Sequence, residues 1–356
     1  MLTWSDINAI RMKRQYLSAP VNREGYDDLF VKMSPVPTLY WCEPGSPPTL
    51  PKHADFDDYD YNSLRRAHRD ILKGRFGGGS ISYVTKEDLE LFACLYKKEL
   101  TYLSSIQSEL LELLTQEGPM NIGLMKELTG YLVKDITPAL HKLQEAFQVF
   151  EDQSDNEGDR SWFLFDSEFP EVNSKRYTKV EALKLAIPRF AYLCVFFEEG
   201  MLKSFYKLPQ KLIREALKDL LNDNLVQPIT VEGNKGYSLT TDIKELQNET
   251  IPPIHPRVLL LQRNDFLVRA YADELKVTYP SEWDTLYYLL IDGRFHGAVT
   301  GRFKFGPHVI EDIVLDLPEE EKDRRKEEIL EAVYEVFNYK TSPVKRYDSK
   351  QQNERG

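Results

Sequence analysis

The sequence predicts an α+β protein in which tandem winged-helix domains are followed by a small C-terminal β-barrel and a terminal helix. A pattern of three helices and a β-hairpin occurs within residues 101–175 and again within residues 176–250, and it is typical of a winged helix. Beyond Pro252 and Pro253 the pattern changes to short strands. A chain of 356 residues is also too long for one ordinary core, so several modules are expected.

Residues 1–100 are expected to form an N-terminal helical module that resembles a winged helix. Ser5 can cap a first helix that ends before Pro20, and a second helix is expected from Tyr26. The stretch 34–51 is too rich in proline for regular structure. The remaining elements are a strand over 80–84 and a helix that Thr85 caps.

The two following modules are expected to have the same order of elements. In the second module the helices are 102–114, 122–128 and 136–147, and the strands are 147–150 and 162–165, joined by an acidic turn at 152–159. In the third module the helices are 179–197 and 211–221, with a short connector or helix at 203–206, and the strands are 225–231 and 237–239.

The last two segments are the predicted barrel, residues 251–317, and a terminal helix with a frayed tail, residues 318–356. The barrel strands are expected at 258–261, 285–291, 297–305 and 309–315. An apolar stripe predicts one amphipathic helix over 319–337, and the polar tail from Tyr339 is expected to fray.

A basic segment ahead of three consecutive glycines is the most informative local feature. Arg65, Arg69 and Lys73 are each four residues apart, so on a helix they would lie on one face. The backbone of Gly77–Gly79, which follows, could approach a phosphate closely. On a chain of net charge −11 such a face suggests a polyanion partner, although a solvated helix and a glycine turn would look the same. The predicted DNA-binding residues are Arg65, Arg66, Arg69, Lys73, Arg75, Gly77, Gly78 and Gly79.

Composition excludes several other classes of protein. The acidic excess is concentrated in residues 118–170, so that part is the least expected to contact nucleic acid. The three cysteines lie far apart, which favours neither a disulfide framework nor a zinc site and points to a reducing cytoplasm. No signal segment or bilayer-spanning run is evident, the histidines lack metal-ligand spacing, and no nucleotide-binding glycine frame is present. No metal, cofactor or membrane partner is therefore expected.

Three short segments resemble the AlkZ/YcaQ-type winged-helix DNA glycosylases. They are Leu2-Thr3-Trp4 with Arg14-Gln15-Tyr16-Leu17, the segment from Leu72 to Val84, and Leu259-Leu260-Leu261 through Asp265 and Arg269. The resemblance implies tandem winged helices followed by a β-barrel, and a protein that binds double-stranded DNA carrying alkylated or crosslinked bases. It covers roughly residues 2–317.

The chain departs from this family at the catalytic signature. The family carries a Gln-x-Gln or Gln-x-Asp triplet, and the corresponding stretch here is Met33-Ser34-Pro35-Val36-Pro37, without either glutamine. Gln15 and Gln262 lie in other elements and cannot take that role. The carboxylates between Asp55 and Asp60 could supply a general base, but a solvated acidic loop is the favoured interpretation.

The sequence therefore leaves two functions open, and the catalytic residues unknown. One is a DNA glycosylase-like repair enzyme that flips a base out of the duplex. The other is a DNA-binding or regulatory protein that keeps the scaffold without the chemistry. Tyr40 and Trp41 could stack on an unpaired base, although such pairs more often anchor a core or a loop.

Overall fold

The computed structural model describes residues 3–38, 45–152, 160–246, 255–303 and 307–351. Tyr40, Trp41 and most of the acidic turn at 152–159 lie outside these ranges. The described residues form a mixed α/β structure with several open sheets.

The N-terminal part consists of helices around a small antiparallel sheet with strand order β1-β3-β2. The first helix begins earlier than expected, because Thr3 caps it in a reciprocal capping box with Asp6. Its elements are α1 (Trp4–Arg14), α2 (Arg23–Met33), β1 (Val36–Pro37), α3 (Asp58–Ala67), β2 (Ile71–Gly74), the single turn α4 (Phe76–Gly79), β3 (Ser82–Thr85) and α5 (Leu89–Tyr96).

The prediction that Arg65, Arg69 and Lys73 lie on one basic helix is wrong. Helix α3 ends at Ala67, Arg69 adopts a positive φ of 60°, and Lys73 lies in strand β2. Positive φ is unfavourable for a residue with a Cβ and ends a right-handed helix. Arg65, Arg69 and Lys73 consequently do not share one helix face.

The next part contains three helices and a small sheet with strand order β4-β6-β5. Strands β5 and β6 form the expected antiparallel pair, in which Glu151 lies opposite Trp162. The elements are α6 (Ser105–Glu117), β4 (Met120–Asn121), α7 (Ile122–Thr129), α8 (Val133–Glu145), β5 (Val149–Asp152), β6 (Ser161–Leu164) and α9 (Phe165–Glu168).

The third part repeats the combination of helices and a hairpin. Of the two alternatives for 203–206, a connector or a helix, the structure has a helix, which begins earlier at Glu199 and which Lys207 terminates in the left-handed conformation. The elements are α10 (Lys179–Cys194), α11 (Glu199–Tyr206), α12 (Gln210–Asn222), β7 (Val226–Val231), β8 (Asn234–Leu239) and α13 (Thr240–Leu246).

The C-terminal part is an open six-stranded sheet and not the predicted closed barrel. The strand order is β14-β13-β12-β11-β10-β9, which leaves β9 and β14 at opposite edges. A helix that the sequence did not predict, α14, follows the first strand. The elements are β9 (Val258–Gln262), α14 (Phe266–Thr278), β10 (Asp284–Ile291), β11 (Arg294–Arg302), β12 (Val309–Leu315), α15 (Glu319–Arg324), α16 (Lys326–Val336), β13 (Arg346–Tyr347) and β14 (Lys350–Gln351).

The expectation of a frayed tail from Tyr339 is also wrong as far as residue 351. Strand β13 pairs with β12 through Tyr347 and Ile313, and Val344 and Tyr347 are buried in the core of the C-terminal sheet. Burial of an aromatic ring supplies the free energy that orders this polar segment.

The hydrophobic core does not follow the predicted domains one by one. One large cluster joins side chains of the N-terminal part, β5, α10 to α12 and the helix α14, through Phe266 and Ala270. The bundle of α6 to α8 and the C-terminal sheet have clusters of their own. The domain boundaries at 100, 175, 250 and 317 stay predictions.

Candidate nucleic-acid interface

Arg65 and Arg66, two of the predicted DNA-binding residues, are buried. Arg65 donates to Asn62 Oδ1 over 2.9 Å and lies 3.3 Å from Asp27 Oδ1. Arg66 donates to the Gly45 carbonyl oxygen and contacts the Tyr83 hydroxyl. Both guanidinium groups thus hold α3 against neighbouring parts of the chain.

Arg69 connects the N-terminal part to the following one. Its guanidinium forms ion pairs with Asp152 over 2.8 Å and with Glu168 over 2.6 Å. It also lies over the rings of Phe150 and Phe163. Two carboxylates therefore compete with any phosphate for this cation.

Lys73 makes a buried ion pair across the same boundary. Its ammonium lies 3.1 Å from Glu151 Oε1, and Arg160 lies 3.2 Å from the same oxygen. Burial opposes the charge on Glu151, but the two cations outweigh it and hold the pKa of Glu151 below its usual range. Lys73 thus contributes to the contact between β2 and β5.

Arg75 and the three glycines form a compact unit beside two other helices. Gly77, Gly78 and Gly79 have positive φ angles of 66°, 83° and 89°, which glycine adopts without steric cost. Arg75 donates to Gln144 Oε1 over 2.9 Å and to the Gly79 carbonyl over 3.1 Å, so its side chain fixes the turn against the end of α8.

The end of helix α11 supplies two lysines next to this turn. A Cβ at Gly78 would lie 3.2 Å from the Cβ of Lys207, so the two backbones are in close contact. Lys203 lies in the last turn of α11, Lys207 is the residue that terminates the helix, and both side chains are exposed. Within the described ranges, neither ammonium group forms an ion pair.

We call Arg75, Gly77–Gly79, Lys203 and Lys207 the glycine-turn surface. Sequence reasoning found the first two components and missed the lysines. No signal in the sequence points to them, because only the tertiary structure brings the end of α11 to the turn.

The stretch that corresponds to the family's catalytic triplet is anchored by the start of α14. Arg269 donates to the Pro35 carbonyl over 2.6 Å, and Asn264 donates to the Thr38 carbonyl over 2.7 Å. The Ser34 hydroxyl donates to the Phe30 carbonyl, and the buried Thr38 hydroxyl has no partner within the described ranges. The side chains of 34–38 therefore offer two buried hydroxyls and no group that ionises near neutral pH.

Arg269 is deeply placed and only partly reached by solvent. Burial lowers its pKa to about 10, so it still carries a positive charge at neutral pH. Its guanidinium lies 4.1 Å from the centroid of the Phe205 ring, and no carboxylate within the described ranges forms an ion pair with it. A largely buried cation of this kind can attract an anion or the π-face of a base.

In the acidic run from Asp55 to Asp60, Asp58 is buried in the fold, whereas Asp55, Asp57 and Asp60 are exposed. Asp57 and Asp58 begin helix α3, and buried Asp58 accepts hydrogen bonds from the Tyr26 hydroxyl over 2.7 Å and from the Leu50 amide over 2.6 Å. Burial raises the pKa of Asp58. This carboxylate is thus engaged in holding the fold.

The described residues contain neither a cluster of metal ligands nor a helix that could span a membrane. Among the described residues, no three His, Cys, Asp or Glu side chains lie where they could hold a metal ion. No helix in the same ranges combines the length and the apolar character that crossing a bilayer requires.

Comparison with solved structures reveals a likeness in fold. The fold matches Streptomyces sahachiroi DNA glycosylase AlkZ with a TM-score of 0.65. The match covers 97% of this chain and 99% of that chain at 15% sequence identity. The chain is similar in fold to that DNA glycosylase.

No family model and no curated protein matches the sequence. At so low an identity the structural likeness shows the fold alone. The resemblance seen in the short sequence segments is confirmed at that level, as a mixed α/β architecture shared over nearly the whole of both chains.

Proposed function

We propose that this protein binds double-stranded DNA in a repair role, on duplexes that carry alkylated or crosslinked bases. The observation that carries the proposal is the likeness to DNA glycosylase AlkZ across nearly the full length of both chains. We also propose that the units within 105–164 and 179–239, each of helices with a hairpin, are winged helices, since this module commonly presents a helix to the major groove.

The glycine-turn surface is proposed to contact the DNA backbone. Lys203 and Lys207 are exposed cations without a carboxylate partner in the described ranges, and a Cβ at Gly77 would meet nothing within 4 Å. Lysine ammonium groups and backbone amides are common donors to phosphate oxygens.

The DNA-binding role of Arg65, Arg66, Arg69 and Lys73 stays a prediction. Their contacts with protein acceptors support a different role, in which they fix the position of the glycine turn. Arg75 belongs to both groups, since it holds the turn and lies on its surface.

A second candidate function is DNA binding without base release. The stretch 34–38 favours it, because its hydroxyls are buried and no side chain there can activate a water molecule. In the family that this chain resembles, polar side chains at the corresponding stretch take that role.

DNA binding is tested by fluorescence anisotropy with a labelled 20-base-pair duplex at several salt concentrations. Replacing Lys203 and Lys207 by alanine should weaken binding to all sequences and reduce the salt slope by about two, since each phosphate contact contributes roughly 0.9. The matched control replaces Lys276 and Lys340, which are also exposed. Failure of the wild-type protein to bind any duplex at low salt would contradict the proposal.

Base release is tested on a duplex treated with a methylating agent, with abasic sites converted to strand breaks by alkali. Breaks above the level of a protein-free reaction would establish a glycosylase and remove the second candidate function. Binding to the same duplex without breaks would establish the second candidate function.

A further inference from the structure

The geometry points to a phosphate-binding pocket between the end of α5 and the start of α10. The pocket has a volume of about 590 Å³ and is open to solvent. Its lining includes four lysines, namely Lys97, Lys98, Lys175 and Lys179, with Glu99 as the acidic residue among them. We propose that these lysines bind phosphate oxygens.

Three of the four ammonium groups are free of carboxylate partners within the described ranges. Lys97 donates one hydrogen bond to Ser174 Oγ over 2.9 Å, which leaves it two further N–H donors. Lys175 and Lys179 form no ion pair there. Only Lys98 is paired, over 2.8 Å with Glu145, and that carboxylate is not part of the lining.

The surroundings of Lys179 leave room for a bound anion to act. Burial lowers the pKa of Lys179; the charge of Glu99 opposes this effect, and the smaller effect of Lys98 adds to it. A bound anion supplies negative charge beside an ammonium group that burial has partly removed from water.

Phosphate fits these donors better than a carboxylate does. A phosphate group has several strongly accepting oxygens in different directions and can serve three separate point charges at once. The hydroxyl of Ser174, which already orients Lys97, adds a neutral polar group to the wall.

The pocket lies directly beside the glycine-turn surface. Glu145 Oε1, the partner of Lys98, lies 2.7 Å from the place that a Cβ on Gly79 would occupy. The bound phosphate can thus belong to the DNA backbone, and the inference then rests on the proposed function. It can also belong to a free phosphate-bearing molecule, and the inference is then independent of the proposed function.

The test uses the full chain with Lys97, Lys175 and Lys179 replaced by alanine. The matched control carries alanine at Lys13, Lys276 and Lys340, three exposed lysines outside the lining. Pyrophosphate is the free probe, titrated by calorimetry, and the labelled duplex is the DNA probe. Unfolding temperatures report whether each variant is folded, and the single change Lys175→Glu, at an exposed side chain, provides a second variant.

Three results are informative. If the wild-type protein binds pyrophosphate and the triple variant binds it about tenfold or more weakly, the pocket takes a free ligand. This conclusion holds even if the wild-type protein binds no DNA. Unchanged pyrophosphate behaviour, with duplex affinity reduced and the salt slope lowered by about two to three, supports the DNA backbone. The proposal is overturned when the triple variant and Lys175→Glu match the control with both probes.

Discussion

At the scale of single residues, His53 shows how a buried charge can be inferred from its partners. Its Nδ1 lies 2.5 Å from the Gln15 carbonyl oxygen and its Nε2 lies 2.7 Å from Asp265 Oδ2. Both partners are acceptors when Asp265 is ionised, so both ring nitrogens must carry a proton. We therefore expect His53 to be an imidazolium that ties α1 to the start of α14.

The pair of His53 and Asp265 should make the stability of the protein depend on pH. Burial alone would lower the pKa of His53, but the Asp265 carboxylate and the Gln15 carbonyl outweigh it and raise the pKa. The contribution of the pair is therefore complete below the unfolded pKa of about 6.5, and it is lost as the pH rises through the higher folded value.

The measurement is urea unfolding of the wild-type protein and His53→Gln over a pH series. The variant should lose about 3–5 kcal/mol at pH 6, because Asp265 remains buried without its partner, and the difference should shrink at alkaline pH. His255→Gln, at an exposed histidine, is the control. A pH-independent difference would show that His53 is neutral.

At the scale of elements, the contact between β2 and β5 includes the buried pair of Lys73 and Glu151. Glu151→Ala would leave the Lys73 ammonium buried without its carboxylate, and we expect a loss of about 3–5 kcal/mol in the free energy of unfolding. Because the pKa of Glu151 is lowered, this contribution is present above its unfolded pKa and lost as the pH falls through the folded value.

Chemical denaturation of Glu151→Ala at pH 7 and in acid checks this prediction. Glu171→Ala, at an exposed carboxylate, should change stability by less than about 0.5 kcal/mol. Equal stabilities of the two variants at neutral pH would mean that the pair contributes nothing to the contact.

The glycine turn gives a second prediction at this scale. Gly78→Ala should destabilise the protein by about 1–2 kcal/mol, because the alanine Cβ is strained at a φ of 83° and would meet Lys207. Gly200→Ala is the matched control: Gly200 lies in α11 with open space around it, and alanine there should be neutral or stabilising. Thermal unfolding of both variants distinguishes strain at the turn from a general intolerance of alanine.

At the scale of the whole molecule, the C-terminal segment is a part of the folded sheet. Tyr347 is 4% exposed and its hydroxyl donates to the Lys322 carbonyl over 2.9 Å, whereas Tyr339 is 60% exposed. Tyr347→Ala should therefore cost about 3–5 kcal/mol, and Tyr339→Ala less than about 0.5 kcal/mol. Similar unfolding temperatures for the two variants would show that the segment frays after all.

Helices and strands were predicted best where the apolar residues that set the local periodicity pack against one another. Helices α6 to α8 and the β5–β6 pair occur where the sequence predicted them, because their apolar residues form one compact local cluster. The prediction for the basic stretch 65–73 was wrong. Residues four apart suggested one helix, but Arg69 and Lys73 are held by carboxylates that lie about eighty residues further along the chain.

The sequence by itself determined the mixed α/β class, the periodic helices and hairpins, and the absence of glutamine from the stretch 33–37, since these depend on residue type and short-range spacing. Only the tertiary structure decided which cations stay available to a ligand. Arg65, Arg69 and Lys73 are neutralised by distant carboxylates. Lys97 and Lys98, just past α5, instead come together with Lys175 and Lys179 near the start of α10. Charge pairing acts through space and not along the chain, so a basic sequence motif cannot reveal by itself where the basic surface lies.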